Sequence, residues 1–129
     1  MTTWAPEDLP LLTGSESLVL TAGDDGHPSV EIGMVLVRGE LYVRAYQGAR
    51  SRWYQAAQKH GHGQIRVGAV TRAVLLETRD TMPAAEIDAA YRNKYGRSAS
   101  ALVASPTAHA ATIRIDPASS SNDATGLVR

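Results

Sequence analysis

Between Glu16 and Tyr46 the chain offers three β-branched, apolar segments separated by turn signals only a few residues long, and this spacing is its strongest constraint. Glu16 to Thr21 (ESLVLT) reads as a strand. Gly23-Asp24-Asp25-Gly26, followed by Pro28, is a dense turn signal. Ser29 to Val37 (SVEIGMVLV) reads as one long second strand, Arg38-Gly39-Glu40 as a tight hairpin, and Leu41 to Tyr46 (LYVRAY) as the third strand. Adjacent strands with short loops make an antiparallel meander the simplest topology.

The hydrophobic period then changes. Ser51 to His60 (SRWYQAAQKH) is helical, with Ser51 as N-cap, Gly61 just past its end, and Trp53, Ala56, Ala57 and His60 on one face. Gln64–Val67 and Val70–Glu77 form a hairpin around Gly68-Ala69. A second helix follows, with Thr81 as a candidate cap, Pro83 in its first turn, and Ile87, Ala90, Tyr91 and Lys94 in helical phase up to Gly96. Ser98 to Ala104 suggests a further helical turn, and Thr112 to Asp116 (TIRID) a last strand. Five or six strands in antiparallel runs, interrupted by two helices, argue for an α+β fold or a mainly antiparallel barrel. No glycine-rich Rossmann or P-loop fingerprint follows a strand. Residues 1–116 are expected to form a single domain, and the small, polar stretch 117–129 a disordered tail.

At 129 residues the chain has the size of one domain, able to bury roughly two thirds of its unfolded surface. Basic and acidic residues balance at 13 each, which argues against nucleic acid or a membrane surface as partner. The absence of cysteine excludes disulfides and thiolate chemistry, and His60 and His62 alone make a poor metal site, so no metal is expected. His27 and His109 stand isolated in the sequence. No apolar run approaches membrane-helix length and the N-terminus lacks a signal-peptide pattern, so a cytoplasmic location is expected.

Several residues are candidates for chemistry. Arg50, Ser51 and Arg52 set basic side chains beside the unpaired N–H groups of a helix start, which is either an anion site or an ordinary cap with solvated arginines. Trp53 is in phase with Ala56 and Ala57 and reads as core, which makes Tyr54, off that face, the better pocket residue. In SVEIGMVLV the odd positions Glu31, Gly33, Val35 and Val37 share one face, and Val30, Ile32, Met34 and Leu36 share the other. Both faces are otherwise apolar or small, so Glu31 is either a desolvated acid suited to proton transfer or one half of an edge salt bridge with Arg44. Tyr42, Arg44 and Tyr46 alternate on one face of the third strand, lining a polar pocket or simply facing solvent. Tyr91 and Lys94 share a helix turn, either as a tuned phenol–amine pair or as an inward tyrosine with a snorkelling lysine.

Leu41-Tyr42-Val43-Arg44, Arg50-Ser51-Arg52-Trp53-Tyr54-Gln55-Ala56-Ala57 and Gly63-Gln64-Ile65-Arg66-Val67-Gly68 together resemble the family catalogued as domain of unknown function 2255, and Ile87 to Gly96 (IDAAYRNKYG) strengthens the match. The same order of strand, Trp-Tyr helix and hairpin is similar to the deazaflavin-dependent nitroreductases. That resemblance implies a flavin-type split β-barrel, a homodimer with its pocket at the barrel–barrel interface, and FMN or deazaflavin as cofactor. It further implies an oxidoreductase acting on a small ring-containing molecule such as a quinone or nitro compound. Carried over by position, His27 and Ser29 with Arg50 and Ser51 would hold the cofactor phosphate; in the redox reading that follows, Arg52 joins Arg50 and Ser51, and Arg44, Tyr46 and Tyr54 line the ring pocket. His27 and Ser29 fall where those relatives favour basic residues. The alternative is a cofactor-independent isomerase, dehydratase or cyclase, with Glu31 as acid or base and Arg44 and a tyrosine stabilising a developing oxyanion.

Overall fold

The structure is a computed structural model that describes residues 4–23, 29–79, 81–97 and 104–118. The expected turn at 24–28, with His27, lies outside these residues, as do most of the helical turn expected at 98–104 and residues 119–129.

Seven antiparallel strands form one curled sheet, a half-barrel. They are β1 (Leu18–Ala22), β2 (Ser29–Ile32), β3 (Val35–Val37), β4 (Glu40–Arg44), β5 (His62–Val67), β6 (Val70–Glu77) and β7 (Thr112–Pro117), in the spatial order β2-β1-β5-β6-β7-β4-β3. The helices among the described residues are α1 (Leu9–Gly14), α2 (Arg52–His60), α3 (Ala84–Tyr95) and α4 (Pro106–His109), with a 3₁₀ turn at Gly48–Arg50 before α2. None is long and apolar enough to cross a membrane.

The expected long second strand is two strands. The chain leaves the ladder at Gly33 and Met34, and its two halves form opposite edges of the sheet. The meander is therefore replaced by two hairpins, β1–β2 and β3–β4, with β5, β6 and β7 between them. The face assignment along the run survives the break. Val30, Ile32, Met34 and Leu36 pack on the main core, whereas Val35 and Val37 belong to a second cluster on the other side. The β3–β4 turn is tight as expected, with Arg38 at φ 55° and Gly39 at φ 81°, the positive pair that a two-residue hairpin loop needs.

Inside the curl, alternate residues of β1, β4, β5, β6 and β7 form the main core, including Leu18, Leu20, Val43, Ile65, Leu76 and Ile113. Tyr54 and Ala57 of α2 close it on one side, and Trp4 and Leu12 complete it. Trp4 is anchored by its indole N–H, which donates to the Ile115 carbonyl at 3.1 Å. Asp8 is tied to β6 by Arg72, whose Nε and Nη2 reach its two carboxylate oxygens at 3.2 and 3.1 Å. Helix α3 lies outside the sheet, where Ile87 and Tyr91 cover Val35, Val37 and Tyr42. The solvated outer face considered for Tyr42 and Arg44 is thus buried under a helix, and only Tyr46, 57% exposed, meets water. The last strand runs one residue past the expected domain end, and the Ala118 N–H continues it by donating to Ala73 O.

The break at Gly33–Met34 is satisfied by the end of α3. The Tyr95 hydroxyl accepts from the Met34 N–H at 2.8 Å and lies 2.7 Å from the Glu16 carbonyl, to which it gives its proton. Lys94 Nζ donates to the Met34 carbonyl at 2.8 Å. Backbone groups removed from the ladder therefore find side-chain partners, as buried polar groups require. Gly33 leaves the room, because a Cβ there would lie 3.0 Å from the Tyr95 hydroxyl.

Candidate functional site

A pocket of about 470 Å³ lies between β2, the chain that follows β4, and the start of α2. Its volume is within the range of small-molecule sites. Five of the expected site residues, Glu31, Arg44, Tyr46, Ser51 and Arg52, line it together. All four residues of β2 line it as well, although consecutive strand residues point to opposite faces. The pocket therefore runs along the edge of β2, whose outer backbone groups have no partner strand among the described residues.

The start of α2 forms one wall. Ser51 occupies the N-cap position as expected, but its hydroxyl makes no capping hydrogen bond, so the first-turn N–H groups are left to solvent or to a ligand. Arg52 is exposed and carries no ion pair among the described residues. Trp53, half-buried, lines the pocket and packs on the core edge.

The expected roles of the two aromatics are reversed. Tyr54 is 4% exposed, lies in the main core and does not line the pocket. Burial pushes its phenol up, and its hydroxyl is 3.4 Å from the Ala110 carbonyl. The buried line of α2 runs through Tyr54 and Ala57, one residue along from the expected face, which leaves Trp53, Ala56 and His60 at its border. Arg50, exposed at the end of the 3₁₀ turn, also lies outside the pocket lining.

Glu31 is exposed, and its carboxylate accepts from the Ser17 hydroxyl at 2.7 Å. The desolvation considered for it is absent, since Glu31 is exposed on an edge strand. The salt bridge considered between Glu31 and Arg44 is not formed. Arg44, with its side chain 1% exposed, pairs instead with Asp88 of α3 through Nη1. Its Nε donates to Thr112 Oγ1 at 3.1 Å and its Nη2 reaches the Ala84 carbonyl at 3.3 Å.

Asp88 also meets His109, whose Nε2 lies 3.0 Å from the same carboxylate oxygen, so His109 is not isolated. Partial burial opposes ionisation of Asp88, but the Arg44 guanidinium, and then His109, outweigh it and hold the carboxyl below its ordinary range. Arg44 is therefore a neutralised, fixed wall of the pocket, and Arg52 is its available cation. Sequence reasoning missed Gln47 as a lining residue, Asp88 as the partner of Arg44, and His109 as the second partner of Asp88. The signal for Asp88 was present: it sits beside Ile87 and three residues before Tyr91 on the covered side of α3, where an acid needs a cation.

Tyr91 packs inward and Lys94 reaches backbone carbonyls, so the phenol–amine pair is not formed as such. Among the described residues no three metal-ligating side chains gather.

No curated protein matches the chain. The family described as "Uncharacterized protein conserved in bacteria (DUF2255)" matches residues 14–115, which hold every strand but the last residues of β7, and the helices α2, α3 and α4. The chain belongs to that family of uncharacterised bacterial proteins.

Proposed function

We propose that the pocket along β2 binds a flavin- or deazaflavin-type cofactor and that the protein is an oxidoreductase acting on a small ring-containing molecule such as a quinone or nitro compound. The observation that carries this reading is the wall made by Ser51, Arg52 and Trp53. An uncapped helix start and a guanidinium without an ion pair among the described residues suit a phosphate, and a half-buried indole beside them suits a planar ring.

Ser51, Arg52 and the first N–H groups of α2 hold the phosphate. Trp53 and Tyr46 border the ring, Val30 and Ile32 supply apolar contact, and the Glu31 carboxylate and Gln47 amide meet its polar edge. Arg44 shapes the site without binding phosphate, because Asp88 already neutralises it. The bound cofactor supplies the hydride transfer, and the protein binds and orients it. In this reading the half-barrel is a split barrel of the flavin-binding type, and a second copy closes the open side of the pocket. The cofactor-free acid/base alternative is weaker, since Glu31 is solvated and Arg44 is committed elsewhere.

Titrating the protein with FMN and with a deazaflavin, followed by fluorescence, tests the proposal. Saturable binding is expected, weakened about tenfold by Arg52→Ala and unchanged by Arg50→Ala. A colourless protein that binds neither cofactor overturns the reading.

A further inference from the structure

A second pocket, of about 350 Å³, lies on the other side of the Gly33–Met34 break. It is lined by Leu12, Thr13, Val35, Leu36, Ala90, Asn93 and Lys94. Four of these are aliphatic, and the polar groups are a hydroxyl, an amide and a single amine. The amine is the half-buried Lys94, which forms no ion pair with any carboxylate among the described residues. Its partners are the Met34 carbonyl at 2.8 Å, the Leu12 carbonyl at 3.4 Å and the Tyr95 ring, whose centroid lies 5.3 Å from Nζ. An ammonium has three donors, so two carbonyls leave one N–H for another acceptor.

A cation half-removed from water with no carboxylate in contact with it is stabilised when something anionic joins it. Burial lowers the Lys94 pKa, and the charge of Glu16 only partly offsets this. Among the described residues, Glu16 and Tyr95 are the titratable groups that act on it.

We infer that this pocket is a binding site for a small aliphatic carboxylate, its anion held by Lys94 with Asn93 and Thr13, and its short hydrocarbon chain held by Leu12, Val35, Leu36 and Ala90. The apolar lining selects against inorganic anions and strongly polar acids. The single cation selects for one negative charge. This site is separate from the cofactor pocket, and Lys94 has no part in that one.

Lys59 and Lys94 are the only lysines of the chain, which makes a direct test simple. Protein labelled with ¹³C at lysine Cε gives two resonances, with the exposed Lys59 as internal control. Propionate, isobutyrate and 3-methylbutyrate should move the Lys94 signal saturably and leave Lys59 in place. They should also shift the Lys94 titration to higher pH, since a bound carboxylate favours the ammonium. Isobutyramide, neutral and of the same shape, should do neither. Lys94→Met should weaken isobutyrate binding at least about tenfold while leaving the FMN titration intact. No movement of the Lys94 resonance by any carboxylate at tens of millimolar, or equal movement by the amide, overturns the inference. The labelled wild-type protein decides between these outcomes even if Lys94→Met fails to fold.

Discussion

Arg44 is a buried cation held by a carboxylate on Asp88, a hydroxyl on Thr112 and a carbonyl on Ala84. Removing one partner of such a pair leaves an uncompensated charge, which for full burial costs about 3–5 kcal/mol. Asp88 keeps some contact with water, so Asp88→Asn is expected to cost about 2–3 kcal/mol, read as a lowered urea midpoint at pH 7. The sign with pH follows from the lowered Asp88 pKa. The folded state holds fewer protons than the unfolded chain near pH 4, so the contribution is present above about pH 4 and fades as pH falls through the folded value. The difference between wild type and Asp88→Asn should therefore shrink at pH 3. The alternation of Tyr42, Arg44 and Tyr46 was legible from the strand period, but what faced them was not. The acid lies 44 residues along the chain, and no local pattern couples the two positions.

Among the elements, the break between β2 and β3 decides the architecture. It lets one stretch of chain supply both edges of the sheet, and it stands only because Tyr95 and Lys94 take up the freed backbone groups. Tyr95→Phe deprives the Met34 N–H of its acceptor and should cost about 1–3 kcal/mol. Gly33→Ala brings a methyl group to 3.0 Å from the same hydroxyl and should also destabilise. Since both act through one atom, the double variant should lose less than the two single losses added, a coupling that urea unfolding measures. The sequence pattern showed the hairpin turns at Arg38-Gly39 and Gly68-Ala69, both long helices and the inward alternation of the strands. It did not show the break, because SVEIGMVLV keeps its two-residue period across it and only the Tyr95 contact, 61 residues away, reveals the bend. The helix α2 was placed correctly, yet its buried line was misjudged by one residue. With Ala56 and Ala57 adjacent, sequence alone weighs Trp53 and Tyr54 almost equally.

For the whole molecule, the half-barrel is completed by residues outside the family match. Trp4 and Leu12 sit in the main core, although the matched region begins at residue 14. Trp4→Ala should cost about 3–5 kcal/mol by cavity formation and loss of the bond to Ile115, visible as a lowered melting temperature. The proposed second copy over the pocket along β2 predicts a particle of twice 13.8 kDa by light scattering. Arg44, Tyr46 and Glu31 stood out from the strand period and Ser51 and Arg52 from the helix start, but that one pocket joins all five was not legible from their spacing. Which of them remain free to bind a ligand depended on pairings visible only in three dimensions. The function proposed for the pocket stands or falls with the wall of Ser51, Arg52 and Trp53 as the seat of a flavin-type cofactor. An amide NMR titration of the ¹⁵N-labelled protein with FMN and with a deazaflavin locates any such cofactor residue by residue. Saturable shifts are expected, concentrated at 29–32, 46–47 and 51–53, with the surroundings of Lys94 unmoved. Shifts gathered elsewhere, or none with either cofactor, would contradict the proposal.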